Sequence, residues 1–220
     1  MVEKRGLGIW LNHAIMILGV LIVFFPIWLA FVASTVTQPE IVSPPMPLLP
    51  GDQFFINYKK ALLAGVNVPV GTMLTNSLVM AIGIAVGKII ISLLSAFAIV
   101  YFRFPGKKIF FWLIFITLML PVEVRIVPTY EIIAGFGMLN SYGGLIFPLI
   151  ASATATFLFR QFFMTVPDEL AEAARVDGAK PLRFFWDILI PMSRTNIAAL
   201  FVILFIYGWK QYLWTLLITT

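Results

Sequence analysis

Apolar runs on the scale of the roughly 20 residues that a helix needs to cross a bilayer core of about 30 Å constrain this 220-residue chain more than any other feature. Five are present, from about Leu11 to Val32, Leu74 to Tyr101, Ile109 to Leu120, Tyr142 to Met164 and Ile197 to Ile218. With 61% hydrophobic and 11% charged residues and a mean hydropathy of +1.00, the chain carries more apolar surface than one water-soluble core of this size buries. The expected fold class is therefore an all-α integral membrane protein, a polytopic bundle of transmembrane helices. The first run is too long for the apolar region of a signal peptide and no small-residue cleavage site follows it, so it is expected to stay in the mature protein.

Charge placement orients the bundle. Lys4, Arg5, Arg103, Lys107, Lys108, Arg160, Arg175, Lys180, Arg183 and Arg194 fall on one side, whereas Lys59, Lys60 and Arg125 fall on the other. Loops rich in Lys and Arg stay in the cytoplasm, which predicts a cytoplasmic N-terminus and, with five spans, an external C-terminus. Residues 34–71 hold Pro39, Pro44, Pro45, Pro47, Pro50 and Gly51, too many breakers for a continuous helix, and form the expected extracytoplasmic loop. The net charge of +5 is spread between apolar segments without a basic block carrying aromatics, so nucleic acid is not an expected partner. Zero cysteines exclude disulfides and thiolate chemistry, and the lone histidine, His13, has no metal-ligating neighbours in sequence and reads as interfacial. No cofactor is expected.

Residues 164–194 form the longest expected cytoplasmic loop, patterned as two short helices. Pro167, Asp168 and Glu169 suit a helix start; Leu170, Ala173, Ala174 and Asp177 share a face by spacing; Gly178 suits a left-handed stop. Pro181 opens a second helix with a stripe of Leu182, Phe185, Trp186 and Leu189, and Pro191 ends it.

Glu172-Ala173-Ala174, Gly178, Ile188, Ile190 and Pro191 together resemble the EAA signature of ABC importer permeases, with isoleucine at 190 where leucine is usual. The blocks Ala96-Phe97-Ala98, Arg103-Phe104-Pro105, Phe157 to Phe163 and Gly208 to Trp214 are similar to the carbohydrate-uptake branch that includes the maltose-type permeases. Asn76-Ser77 leading to Lys88, and Leu120 to Arg125, are most similar to the glycerol 3-phosphate permeases of that branch. Lys210 and Thr215 stand where the branch usually has asparagine and proline.

The resemblance implies a type I (MetI-like) permease fold over a single domain, 1–220, with five of the family's usual six spans. It implies import of sn-glycerol 3-phosphate, with glycerophosphodiesters as further cargo, across the bacterial inner membrane. The implied partners are a second, different permease, a cytoplasmic ATPase dimer, and a periplasmic or lipid-anchored binding protein, besides membrane lipid. The 164–194 loop then docks in a cleft of the ATPase through Glu172, Ala173, Ala174 and Gly178, with Ile188 and Pro191 completing the signature.

Four charged residues are candidates for the solute pathway. A lysine at the bilayer centre costs about 2.5–3.5 kcal/mol on insertion scales, so Lys88 must face the bundle or a wet cavity. There it either lowers the barrier for a phosphate group or pairs with a carboxylate of the other permease. Glu123 and Arg125, after the Leu120-Pro121 break, either line the outer mouth or pair with each other or with lipid. Lys210, beside Trp209, Tyr212 and Trp214, either touches solute or anchors the chain at the interface. Gly83 and Gly87 make a small-xxx-small pair for close helix packing. Gly83 through Lys88 is no P-loop, because three residues instead of four separate the glycines and Ile89 follows the lysine. ATP hydrolysis is thus assigned to another polypeptide. A neutral-sugar permease of the maltose type is the nearest alternative. An ATPase-independent secondary carrier or a membrane-embedded enzyme explains the spans but not the EAA loop.

Overall fold

The computed structural model describes residues 7–65, 67–117 and 120–219, without the side chains of Leu7, Val122 and Glu123. Lys4 and Arg5 therefore lie outside the described residues. Helices follow one another as α1 (Leu7–Thr35), α2 (Gln38–Val42), α3 (Phe54–Leu63), α4 (Val70–Tyr101), α5 (Lys107–Ile116), α6 (Val122–Gly135), α7 (Tyr142–Ile146), α8 (Ala153–Phe163), α9 (Asp168–Val176), α10 (Pro181–Phe184), α11 (Ile190–Met192), α12 (Arg194–Trp209) and α13 (Leu213–Ile218). The described residues contain no strand. Helix is the form that satisfies every backbone group within one segment, as lipid demands.

The chain divides into two compact units, Met1–Leu74 and Thr75–Thr220. In the first, α1 exposes most of its apolar side chains, from Trp10 to Phe25, to whatever surrounds the chain. Its last turn is tied down. Asn57 Nδ2 donates to the carbonyls of Ser34 and Val36 at 3.0 and 2.9 Å, and the Gly51 N–H donates to Thr35 Oγ1 at 2.8 Å. The bond to Ser34 answers a carbonyl of the last turn, which has no partner within the helix. Val32 and Thr35 are buried there. Glu40 accepts from both the N–H and the Oγ1 of Thr37, which holds the start of α2.

In the second unit α4 is the central element. Ile84, Ala85, Lys88, Ile89 and Ser92 fall at helical spacing and are buried. Lipid supplies no hydrophobic drive between helices, so close packing of small residues does much of the joining. A β-carbon at Gly83 would lie 2.6 Å from Ile146 Cδ1, and one at Gly87 would lie 2.5 Å from Ile150 Cγ2. The small pair thus receives two isoleucine knobs. On another face Gly208 of α12 sits against α4, where an added β-carbon would come within 2.9 Å of Ala81 Cα. One core gathers around Phe159, Phe163, Phe185 and Leu189; a second gathers around Ile84, Leu145, Trp214 and Ile218.

Among the described residues, α1 and α4 are long and apolar enough to cross a membrane. Two bent pairs pass the same test when joined: Tyr142–Leu149 with Ala153–Phe163, at 49°, and Pro181–Met192 with Arg194–Trp209, at 74°. Three of the five expected runs therefore differ from straight spans. The run expected over 109–120 is a ten-residue α5, and residues 118–119 are not described. The run expected over 142–164 breaks at 150–152, where Ser152 leaves the helical region and caps α8 through its Oγ, accepting from the Ala155 N–H. The run expected over 197–218 splits into α12 and α13 around Lys210, Gln211 and Tyr212.

Candidate functional site

The 164–194 segment folds into a hairpin with a glycine corner. Pro167 precedes α9, and Asp168 and Glu169 stand in its positive first turn. At its end the Ala179 N–H donates to the Ala174 carbonyl at 2.8 Å and the Gly178 N–H donates to the Arg175 carbonyl at 3.0 Å. Gly178 has φ +72. This is the Schellman arrangement, which needs a left-handed residue at that one place. Pro181 then starts a continuous turn of chain that includes a π-helical stretch, Phe185–Leu189, just before Pro191. Proline removes the N–H that would bond the carbonyl four residues back, so a widened turn here has a chemical cause.

Of the residues that share a face of α9 by spacing, Ala174 alone is buried. Ala174 is buried and Ala171 half-buried against the core of Phe97, Tyr101, Phe163, Phe184 and Phe185, whereas Leu170, Glu172, Ala173 and Asp177 are exposed. Alanines carry too little apolar area to announce a face, so the hairpin's own packing decides it. In the second limb Phe185 and Leu189 are buried while Leu182 and Trp186 are exposed. Ile188 packs against the core and Pro191 is half-buried. The signature residues thus divide: Ala174, Ile188 and Pro191 build the hairpin, and Glu172, Ala173 and Gly178 stand on its outer surface. A cleft of about 190 Å³ remains between the end of α4 and the hairpin, with Arg103 and Arg175 at its lining.

The hairpin runs directly into α12 through Ser193. Ser193, fully buried at the 74° bend, donates its Oγ to the Leu189 carbonyl at 2.6 Å, and its N–H donates to the same carbonyl at 2.9 Å. Residue spacing alone gave no sign of this serine.

Of the three charged candidates whose side chains are described, Lys88, Arg125 and Lys210, Lys88 is the buried one, 7% exposed. Its Nζ lies over the ring of Tyr207 on α12, 3.7 Å from the centroid. The only salt bridge among the described residues joins Arg183 and Asp187 at 3.2 Å, so no described carboxylate pairs with Lys88. Arg125 of α6 is exposed. Lys210 is exposed in the break after α12. Glu123 belongs to α6, and its side chain lies outside the described residues. Sequence reasoning missed Tyr207, because the contact joins residues far apart in the chain. It also missed Arg160 of α8, whose guanidinium lies 4.3 Å from the centroid of the Phe111 ring on α5.

Residues 88–220 match the family model described as binding-protein-dependent transport system inner membrane component. The sn-glycerol-3-phosphate transport system permease proteins UgpE of Brucella abortus (strain 2308) and Rhizobium meliloti (strain 1021) are each 61% identical to the chain, covering 100% of it and 79% of their own length. The UgpE of Salmonella typhi is 61% identical over 99% of the chain and 78% of its own length. Among solved structures, a bacterial ABC transporter involved in the import of the acidic polysaccharide alginate superposes with a TM-score of 0.85 at 22% identity, over 100% of this chain and 78% of that one. That likeness shows the all-α permease fold. The chain belongs to the family of binding-protein-dependent transport system inner membrane components and is an inner-membrane permease subunit of an ABC importer.

Proposed function

We propose that this chain carries sn-glycerol 3-phosphate inward as one of two different permease subunits, driven by a separate dimeric ATPase and fed by a periplasmic or lipid-anchored binding protein. The observation that carries the reading is the 61% identity to permeases named for that solute, sustained over the whole chain. Chemistry agrees with it: Lys88 is a buried cation without a described carboxylate. A phosphate monoester is the kind of solute such a site favours. Lys88, Arg125, Glu123 and Lys210 are the pathway residues of this reading.

The 164–194 hairpin is the part that couples to the ATPase, on the cytoplasmic side together with the N-terminus, and 34–71 is the extracytoplasmic loop. Its outward residues suit the task. Glu172 offers a charge for a basic partner group, Ala173 allows close approach to a groove, and exposed Val176, Leu182 and Trp186 supply apolar contact. Ala174, Ile188 and Pro191 hold those residues in place, and the Ser193 bend passes their displacement to α12. The test is ATP-dependent uptake of labelled glycerol 3-phosphate by proteoliposomes holding the four components, with Gly178→Asp and Lys88→Met beside the unaltered chain. Loss of uptake in the first with normal assembly supports the coupling role; unchanged uptake in the second removes Lys88 from the pathway.

A further inference from the structure

Three features lie along one stretch of α4 in the second unit. Lys88 stands buried on α4 with its ammonium over the Tyr207 ring. Beside it, the break between α7 and α8 packs on α4: Ile150 meets Gly87, and Ser92 Oγ donates to the Ser152 carbonyl at 3.2 Å. Tyr207 itself occupies the last turn of α12, next to the second break, and its carbonyl accepts from Gln211 Nε2 at 3.2 Å. Unwound backbone inside a membrane is tolerated only where protein buries it or where it lines a cavity, and discontinuous helices are where transported solutes bind.

We infer that Tyr207 is a specificity-determining residue that holds the Lys88 ammonium in place of solute, and that a phosphate monoester binds by drawing that ammonium off the ring. The inference rests on the function proposed above. A buried ammonium needs negative potential around it, and the face of Tyr207 provides some without a formal charge. A carboxylate in that position would hold the lysine too strongly for an incoming anion to take it. The ring holds it through a quadrupole alone, whereas a phosphate oxygen offers a formal charge and a charge-assisted hydrogen bond. A neutral polyol has no charge with which to win the exchange. The arrangement therefore sorts solutes by charge and keeps Lys88 from binding other groups when the site is empty.

The test weakens the ring without changing its shape. Tyr207→Phe, followed by phenylalanines of increasing fluorine content at 207, is made in the full complex with the partner permease and ATPase. Equilibrium binding of labelled sn-glycerol 3-phosphate is then measured without the binding protein. As the ring loses negative potential it competes less for Lys88. The Kd should fall stepwise, by roughly tenfold across the series if the contact is fully desolvated. In a Lys88→Met background the steps should vanish, and excess glycerol should not displace the label. A flat series, an equal trend without Lys88, or no saturable binding at any ring overturns the inference. A purely structural tyrosine would not follow fluorine content. Uptake by the unaltered complex separates the two claims: uptake with a flat series removes only the role of Tyr207, whereas a complex that takes up no glycerol 3-phosphate removes the functional reading beneath it.

Discussion

Replacing Gly178 by alanine isolates the conformational demand of the hairpin corner, because the structure removes every other contribution. With φ at +72 the position lies in the left-handed region, and a β-carbon built there meets no atom within 4 Å. No clash enters, so the cost is the backbone preference alone, about 1–2 kcal/mol for an L-residue with a simple side chain. That loosens the corner roughly five- to thirtyfold. The amide that reports it is that of Ala179, which donates to the Ala174 carbonyl only while the corner is closed. Hydrogen exchange on the purified complex should show the Ala179 amide faster by that factor in Gly178→Ala. In Gly178→Asn it should change less, since asparagine visits the left-handed region more readily. Amides of α4 should be unchanged. Equal protection in all three proteins would refute the argument, as would an asparagine variant worse than the alanine one.

Gly208→Ala should behave differently, because its β-carbon would meet the Cα of Ala81 at 2.9 Å and its carbonyl oxygen at 3.2 Å, and backbone cannot rotate away. A loss of about 1–3 kcal/mol is expected as a lowered melting temperature of the complex, while Gly135→Ala, with nothing within 4 Å, should leave melting unchanged or raised. The Glu40 carboxyl is held below its ordinary value of 4.5 by the Thr37 backbone N–H first and the Thr37 hydroxyl second. Its contribution to the start of α2 is therefore present above 4.5 and is lost as pH falls through the lowered value. Exchange at 37–43, compared with Glu40→Gln at each pH, should differ in the neutral range and converge in acid; a difference that grows on acidification would contradict the sign.

The features legible in the sequence are those with one physical solution. Proline and glycine at 167, 178, 181 and 191 punctuate the hairpin because each residue permits few backbone conformations, and Gly178 sits at the corner its position suggests. The glycine pair on α4 packs closely, as its spacing implies. Apolar runs announce helices but not where they bend. The break at 150–152 lies in sequence almost as apolar as the spans around it and has a long-range partner, Ser92 Oγ donating to the Ser152 carbonyl, whereas the break at 210–212 carries Lys210, Gln211 and Tyr212. The inward face of α9 was not legible for a related reason, since Ala173 and Ala174 look alike until the aromatic residues of α4 and α8 choose one of them. Lys88 stands out by its cost in a membrane, whereas Tyr207 is one aromatic among many until it is seen under that ammonium.

The most direct test is uptake of labelled sn-glycerol 3-phosphate into proteoliposomes containing this chain, its partner permease and the binding protein, with and without the ATPase, in the presence of ATP on the cytoplasmic side. The account predicts accumulation only when the ATPase is present, reduced by unlabelled glycerol 3-phosphate and not by maltose. Accumulation without the ATPase would contradict the importer mechanism, and ATP-coupled transport of maltose instead of the phosphate ester would contradict the solute.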